Sequence, residues 1–383
     1  MTHCIVTRNI LDRANLPTDG DALCIVDVSG DPLAAVQIEA HRSKFEGAFI
    51  VYCCTDSDTD AAMRKLVAKL PQGLQVHYCP DPPPFDRVDD IAVITCFFNP
   101  AGYKRLRDNY NTFATGLYES GIPLYTVELA FNDAPHTITG QNVKHVRSQS
   151  VLFAKENLLN IAEQMVPSKI TKIAFVDCDF TWSRNDWLWE ASALLETLPA
   201  VQVFNRMIDL DHRGKPVDYG KERRTVSQDT GNQWPAPGGG WAVHRELFQH
   251  YGLFDRCVFG AGDMVHTYLG FMGQSKHPWL EQYHPSFVED AQKWGRAVHR
   301  YVRGNIGHVS ADAFHHFHGY RTSRNYAERH RVSGCIEPKT WLHYNHDGVL
   351  EWTSTATDEV KQAVAGYFQS REEDGIDERS VAA

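Results

Sequence analysis

The sequence predicts an α/β protein in which a central sheet is covered by helices on its faces. Three observations predict it. Apolar runs of strand length alternate with segments of helical period from residue 91 to residue 204, the pattern of a sheet packed on both sides. One run, Ile173-Ala174-Phe175-Val176, ends in Asp177-Cys178-Asp179, and open α/β sheets bind ligands at the carboxyl ends of their strands. A proline-rich stretch, Pro80-Asp81-Pro82-Pro83-Pro84, separates this block from a smaller α/β segment before it.

Composition narrows the function classes. At 383 residues the chain is long enough for two domains and a large core. A formal charge of −10 argues against a broad electrostatic grip on nucleic acid or anionic membrane. The nine cysteines include no Cys-x-x-Cys pair, so neither a disulfide framework nor a zinc ribbon is expected. The N-terminal Met-Thr-His-Cys has no basic segment before an apolar core, and no apolar stretch reaches bilayer length. The expectation is a soluble cytoplasmic protein with no membrane association.

Residues 1–88 read as a small α/β domain. Cys4-Ile5-Val6, Leu23-Cys24-Ile25-Val26, Phe49 to Cys54 and Val76-His77-Tyr78-Cys79 look like strands, and Ala62, Leu66, Val67 and Leu70 repeat with helical spacing. No chemical constellation is found here, so a structural or positioning role is expected. Residues 89–352 form the second block. Its first strand is Ile91–Phe98, closed by Asn99-Pro100, and Leu106, Tyr110, Phe113 and Leu117 then share a helical face. Leu124–Phe131 is the next strand, a helix is expected over 151–166, and another follows the Asp pair over 186–198. The polar stretch 209–237 breaks the alternation and carries Lys221, Arg223 and Arg224. Connections that long are functional or disordered. A helix is expected over 356–370, and the acidic residues from Arg371 onward read as a mobile tail, so 353–383 is a third division.

Within this frame several residues carry chemistry. Strand alternation would put the Asp177 and Asp179 carboxylates on one side, an arrangement that is costly without a cation between them. A divalent metal holding a phosphate-bearing ligand is one reading, and a pair of solvated turn aspartates is the other. Gly238-Gly239-Gly240 is either a phosphate cradle or a flexible loop tip. Asp263 opens an expected helix over 264–271, as an N-cap or as a general base at the lip of a cleft. His315, His316 and His318 form the densest cluster; on a strand, His316 and His318 share a face. Imidazoles suit metal ligation. The helix after them would align Arg321, Arg324, Glu328 and Arg331, for a diphosphate or for solvent.

With those residues in place, the chain from about residue 91 to residue 352 resembles the nucleotide-sugar glycosyltransferases of the GT-A fold, and among them a group of phage and bacterial enzymes. Four blocks in order carry the resemblance. They are Phe153-Ala154-Lys155-Glu156-Asn157-Leu158-Leu159-Asn160; Phe175-Val176-Asp177-Cys178-Asp179-Phe180, similar to an Asp-x-Asp motif; Gly239-Gly240-Trp241-Ala242 through Phe254-Asp255 to Gly262-Asp263; and His315-His316-Phe317-His318-Gly319 with Arg321, Arg324, Tyr326 and Arg329. The group commonly has Glu-Asp where this chain has Gly262-Asp263.

The resemblance implies a Rossmann-like mixed sheet of GT-A type and transfer of a sugar from a nucleoside-diphosphate sugar, UDP-sugar foremost, to an acceptor hydroxyl. It implies that Asp179, with Asp177 supporting, binds Mn2+ or Mg2+, with His318 and then His315 as the histidine ligand. It makes Asp263 the catalytic base. Thr95, Phe97 and Asn99 would flank base and ribose, and Lys155, Asp177, Gly239, Gly240, Arg321, Arg324 and Arg329 would hold the donor. The acceptor would be a glycan or a hydroxymethylated base in phage DNA, the latter with Lys221, Arg223 and Arg224 along its path and the host cytoplasm as the location. Two other classes compete: a sugar nucleotidyltransferase, for which Phe98-Asn99-Pro100-Ala101-Gly102 lacks the basic glycine-rich signature, and a non-catalytic nucleotide-sugar-binding module.

Overall fold

A computed structural model describes residues 85–228, 234–275 and 277–375, with the backbone of four strands before them; the side chains of Trp234, Arg321, Thr322 and 326–328 lie outside the described residues. The chain divides into two compact units, Met1–Pro84 and Phe85–Ala383. In the first, β1 (His3–Val6), β2 (Ala22–Asp27), β3 (Val51–Tyr52) and β4 (Gln75–Tyr78) form a parallel sheet of order β3-β2-β1-β4. The helix expected near residues 58–70 lies outside the described residues.

The second unit runs β5 (Ile91–Phe98), α1 (Lys104–Glu119), β6 (Leu124–Phe131), β7 (Val143–Ser148), α2 (Lys155–Glu163), β8 (Lys172–Val176), β9 (Phe180–Trp182), α3 (Trp187–Leu194), β10 (Ala200–Gln202), β11 (Arg206–Asp209), β12 (Arg223–Arg224), β13 (Trp234–Pro235) and β14 (Gly240–His244). It continues with α4 (Arg245–Tyr251), α5 (Pro285–Val302), β15 (Ile306–His308), β16 (Ala313–His315), α6 (Tyr326–Ser333), β17 (Leu342–Tyr344), β18 (Leu350–Trp352) and α7 (Asp358–Ser370). The main sheet has seven strands in the order β15-β10-β14-β8-β5-β6-β7. It is parallel from β8 through β7 and antiparallel on both sides of β14. The expected mixed, Rossmann-like sheet with covered faces is what the chain forms.

Alternation along β5 explains the layers. Ala92, Ile94 and Cys96 pack with α2 through Leu158, Leu159 and Ala162. Ile91 and Val93 point the other way, onto Phe113 and Leu117 of α1 and Trp187 and Leu188 of α3. Phe113 is 1% exposed, and truncating such a side chain to alanine costs about 3–5 kcal/mol. A second sheet, β13-β12-β11-β16-β9, stands beside the first. Its register sets Asp209 and Phe180 on either side of His315.

Several expectations change. The helices expected over 151–166 and 186–198 are shorter, because the approach to α2 is extended and Phe153 N–H donates to the Val258 carbonyl at 3.0 Å. The polar stretch 209–237 contains β12, a 3-10 turn at Val226–Gln228 and β13, while 229–233 lies outside the described residues. The helix after Asp263 is one α turn, Gly262–Met264, running into a π-helix, Val265–Phe271.

The mobile-tail expectation fails for residues 371–375. Helix α1 starts with no side-chain cap and no acidic residue in its first turn, so its free N–H groups need an outside acceptor. Asp374 supplies it, accepting from Arg105 N–H at 2.7 Å and Lys104 N–H at 3.3 Å. Tyr103 Oη donates to the Gln369 carbonyl at 2.7 Å and accepts from Glu372 N–H at 3.0 Å. Gly319, at φ +91°, lets the segment come close; a Cβ there would sit 2.6 Å from the Arg371 carbonyl. No helix among the described residues is long and apolar enough to cross a membrane.

Candidate functional site

A cavity of about 370 Å³ opens at the carboxyl ends of β5 and β8, lined among others by Phe97, Asn99, Lys155, Asp179, His318 and Asp263. Strand β8 stops at Val176, and the chain turns at Cys178 and Asp179 into β9. Alternation therefore ends before the two carboxylates, and the expectation that both face one side is overturned. Asp177 Oδ1 lies 2.8 Å from Lys155 Nζ, whereas Asp179 Oδ2 lies 3.2 Å from His318 Nε2 and 3.6 Å from His315 Nε2.

The histidines sort for a similar reason. Strand β16 ends at His315, and His316 N–H donates to the Asp179 carbonyl at 2.8 Å. The chain then bends to Gly319, so His318 swings back beside His315, their Nε2 atoms 3.0 Å apart. His316 instead meets Thr181 Oγ1 at 3.1 Å. Pairing His316 with His318 on one strand face fails because the strand has already ended.

Asp179, His315 and His318 thus offer one carboxylate oxygen and two imidazole nitrogens in a triangle with sides of 3.0, 3.2 and 3.6 Å. Metal–ligand bonds of about 2.0–2.2 Å place adjacent ligands about 3 Å apart, so the triangle fits a small divalent ion. Asp179 Oδ1 is buried with no hydrogen-bond partner, which is costly for a carboxylate unless a cation shares the site. Positive charge already gathers there. Arg324 Nη2 donates to His318 Nε2 at 2.7 Å. Burial disfavours charge on His315, but Asp179 and Asp209 outweigh it and raise its pKa. Burial and Arg324 push His318 down to about 4. Burial lifts the Asp179 carboxyl, and His315, His318 and Arg324 more than offset it, leaving it below the usual carboxylate range.

A second charge cluster adjoins the first. Lys155 Nζ lies 2.6 Å from Asp263 Oδ1 as well as 2.8 Å from Asp177. Its pKa is raised well above the ordinary value because the surrounding carboxylates outweigh burial. One ammonium cannot compensate both aspartates equally. Burial with Asp263 and Asp179 nearby leaves Asp177 raised to about 6, while Lys155, His266 and Arg329 hold Asp263 below its usual range against burial. Glu156, 2% exposed, is pushed up to about 8 by burial. It underlies Gly262, where a Cβ would sit 1.9 Å from its carboxylate. That packing explains why glycine stands there.

The other expected residues are placed as follows. Thr95 is fully buried, and its hydroxyl donates to the Val176 carbonyl at 2.7 Å, away from the cavity. Phe97 reaches the cavity with its ring edge-on to Tyr110. Asn99 lines it too, with its amide spent on the backbone of Tyr103. Gly239, at φ +90°, has no room for a side chain; a Cβ would lie 2.6 Å from Met207. Gly240 pairs with Val176 inside the main sheet, whereas Gly239 lines the cavity. Arg329 lines the cavity and donates to the Phe259 carbonyl and to Tyr367 Oη. Arg321 opens the 3-10 turn Arg321–Arg324, and its side chain lies outside the described residues. Asn325, at φ +36°, ends that turn before α6, so the arginine row expected on one continuous helix is broken. Arg223 is bound to Asp209, and Arg224 to Glu222.

Sequence reasoning missed Asp209 and Glu373, which back the two histidines. Asp209 carries a weak signal in hindsight, a carboxylate directly after Met207-Ile208 and separated from Asp211 by Leu210 alone. Glu373 carries none, since it sits in an acidic run.

No protein-family model matches this chain, and no curated protein sequence does. Solved structures similar to it include the catalytic domain of a Drosophila β1,4-galactosyltransferase 7 in complex with xylobiose, at 15% identity and a TM-score of 0.28, covering 47% of this chain and 60% of that one. A mutant of that enzyme in complex with manganese, UDP-Gal and xylobiose aligns at 12% identity and a TM-score of 0.34, covering 72% and 98%. A putative glucose-1-phosphate thymidylyltransferase from Bacillus anthracis aligns at 8% identity and a TM-score of 0.27, covering 67% and 98%. Likenesses this distant establish neither family nor activity for this chain.

Proposed function

We propose that this protein is a metal-dependent glycosyltransferase that moves a sugar from a nucleoside-diphosphate sugar to an acceptor hydroxyl. The observation that carries the reading is the Asp179–His315–His318 triangle, with its orphaned carboxylate oxygen, at the edge of a cavity of ligand-site size. These three residues would hold the cation, and their mixed nitrogen and oxygen set suits Mn2+ better than Mg2+. A divalent cation held by these residues would supply positive charge against the negative charge growing on the leaving diphosphate.

The chain's own residues supply the rest. Arg324 and Lys155 present a guanidinium and an ammonium to the same cavity, where charge-assisted bonds to phosphate oxygens hold the donor. Asp263 takes the proton from the acceptor hydroxyl as that oxygen bonds to the sugar carbon and the bond to the diphosphate breaks, with inversion. While Lys155 sits 2.6 Å from it, Asp263 is a weak base. Donor phosphates drawing the ammonium away strengthen it, so base activation follows donor binding. Arg223 and Arg224 are engaged by carboxylates, which favours a glycan over a DNA base as the first acceptor to test.

The test is a hydrolysis screen of nucleotide sugars, UDP-sugars first, with Mn2+ or with chelator. The expected result is slow Mn2+-dependent release of a nucleoside diphosphate from one donor, lost in Asp179→Ala. Pyrophosphate-dependent release of a sugar phosphate would favour the nucleotidyltransferase instead. Donor binding without turnover that survives Asp263→Asn unchanged would favour a binding module.

A further inference from the structure

We propose that Asp209 and Glu373 are positioning residues of the cation site, which makes the C-terminal segment 371–375 a working part of that site. The inference rests on the metal reading above. Each histidine of the triangle has a carboxylate behind it, and each carboxylate is held by an arginine. Asp209 Oδ1 accepts from His315 Nδ1–H at 2.6 Å, and Arg223 Nη1 reaches both Asp209 oxygens at 2.6 and 2.7 Å. Glu373 Oε1 lies 3.3 Å from His318 Nδ1, and Arg371 pairs with that carboxylate. Glu373 is 2% exposed and Asp209 9%, so both are built into the interior.

The contact of Arg324 decides which nitrogen of His318 carries the proton. Arg371 Nη2 also lies 3.3 Å from His318 Nδ1, so that nitrogen by itself could donate to Glu373 or accept from Arg371. A guanidinium only donates. Arg324 sits 2.7 Å from His318 Nε2, so Nε2 is the acceptor and the proton is on Nδ1, directed at Glu373. With His315 anchored through Nδ1 in the same way, both Nε2 atoms are turned toward Asp179. A carboxylate on the far nitrogen fixes ring orientation and strengthens the near nitrogen as a ligand. Register delivers Asp209, because β11 pairs with β16 at that residue. Glu373 arrives 55 residues after His318, held in place by Asp374 on the start of α1 and by Tyr103 on Gln369 and Glu372.

The experiment uses the full chain and two readouts. Two-bond 1H–15N spectra of metal-free, 15N-histidine-labelled protein report the tautomer of His318, and calorimetry with Mn2+ reports affinity. The expected results are a proton on His318 Nδ1 in the unaltered chain, where Arg324 occupies Nε2, and Mn2+ affinity lower by about 10–100-fold in Glu373→Ala and in Asp209→Ala. Thermal melts without metal check folding. Where Glu373→Ala does not fold, Arg371→Met with Glu373→Met removes the carboxylate without stranding a buried guanidinium, and the same loss is expected. A folded variant that binds Mn2+ within twofold of the unaltered chain, or a His318 proton on Nε2 in the unaltered chain, would overturn the inference. Equal Mn2+ binding by the unaltered chain and Asp179→Ala would overturn the metal reading and this inference with it.

Discussion

Asp177 and Asp179 are one residue apart, yet they serve two clusters built on opposite principles. Asp177 is joined to Asp263 through Lys155, a cation belonging to the chain itself. Asp179 faces two imidazoles whose far nitrogens are anchored by carboxylates, and one of its oxygens is buried without a partner. The first cluster is bridged by the chain's own ammonium; the second gathers Arg324 and two imidazoles yet leaves one carboxylate oxygen without a donor. Adjacency in an Asp-x-Asp pair does not put both carboxylates in one cluster. The turn after β8 divides the two carboxylates, and what each meets afterwards decides its chemistry.

The largest effect should come from removing the internal cation. Lys155→Met strips the ammonium from Asp177 and Asp263, whose side chains are 30% and 39% exposed, beside the buried Glu156. It should cost about 3 kcal/mol in urea unfolding at pH 7, the low end for a broken pair because solvent screens both aspartates. Part of that loss should return at pH 5, where Asp177, raised to about 6, takes a proton. Mn2+ affinity of the folded variant should stay within a few-fold of the parent; a collapse in affinity would mean that the two clusters are one site.

Next comes the external cation. Mn2+ at 100 times its dissociation constant should stabilise the protein by about 2.7 kcal/mol, a gain that vanishes in Asp179→Ala and persists in Asp177→Asn. Equal losses in both variants would erase the distinction drawn between them.

A smaller effect tests the electrostatics of the Lys155 side. The folded-state pKa of Glu156 is about 8, above the ordinary carboxylate value. Its neutral form therefore favours folding fully below the unfolded pKa, and this contribution fades as pH rises toward 8. Glu156→Gln should match the parent near pH 4.5 and exceed it at pH 8 by on the order of 1–3 kcal/mol. A parallel pH dependence in the two proteins would show that Glu156 is ionised in the fold. The smallest effect should be His316→Ala, costing about 0.5–1 kcal/mol for its bond to Thr181 and leaving Mn2+ titrations unchanged. A large drop in Mn2+ affinity would move the site toward His316.

The sequence by itself determined the sheet and the location of the site. Period-2 and period-3.6 apolar patterns are local, so β5, β6 and α1 were legible from residue types alone, and the carboxyl end of a buried strand marked where Asp177 and Asp179 would lie. Asp263 and the histidine cluster were also legible as residues that chemistry would choose, while Lys155 and the rank of His315 came only from the family resemblance. Tertiary structure decided how they group. The end of β8 sent the two aspartates apart, and the end of β16 brought His318 rather than His316 back to His315. Asp209 reached the site through strand pairing, and Glu373 through a segment whose acidic composition reads as solvated chain until α1 offers its uncapped amides. Partners separated by tens to hundreds of residues are chosen by register, strand ends and chain packing, and none of these is encoded within a single sequence window.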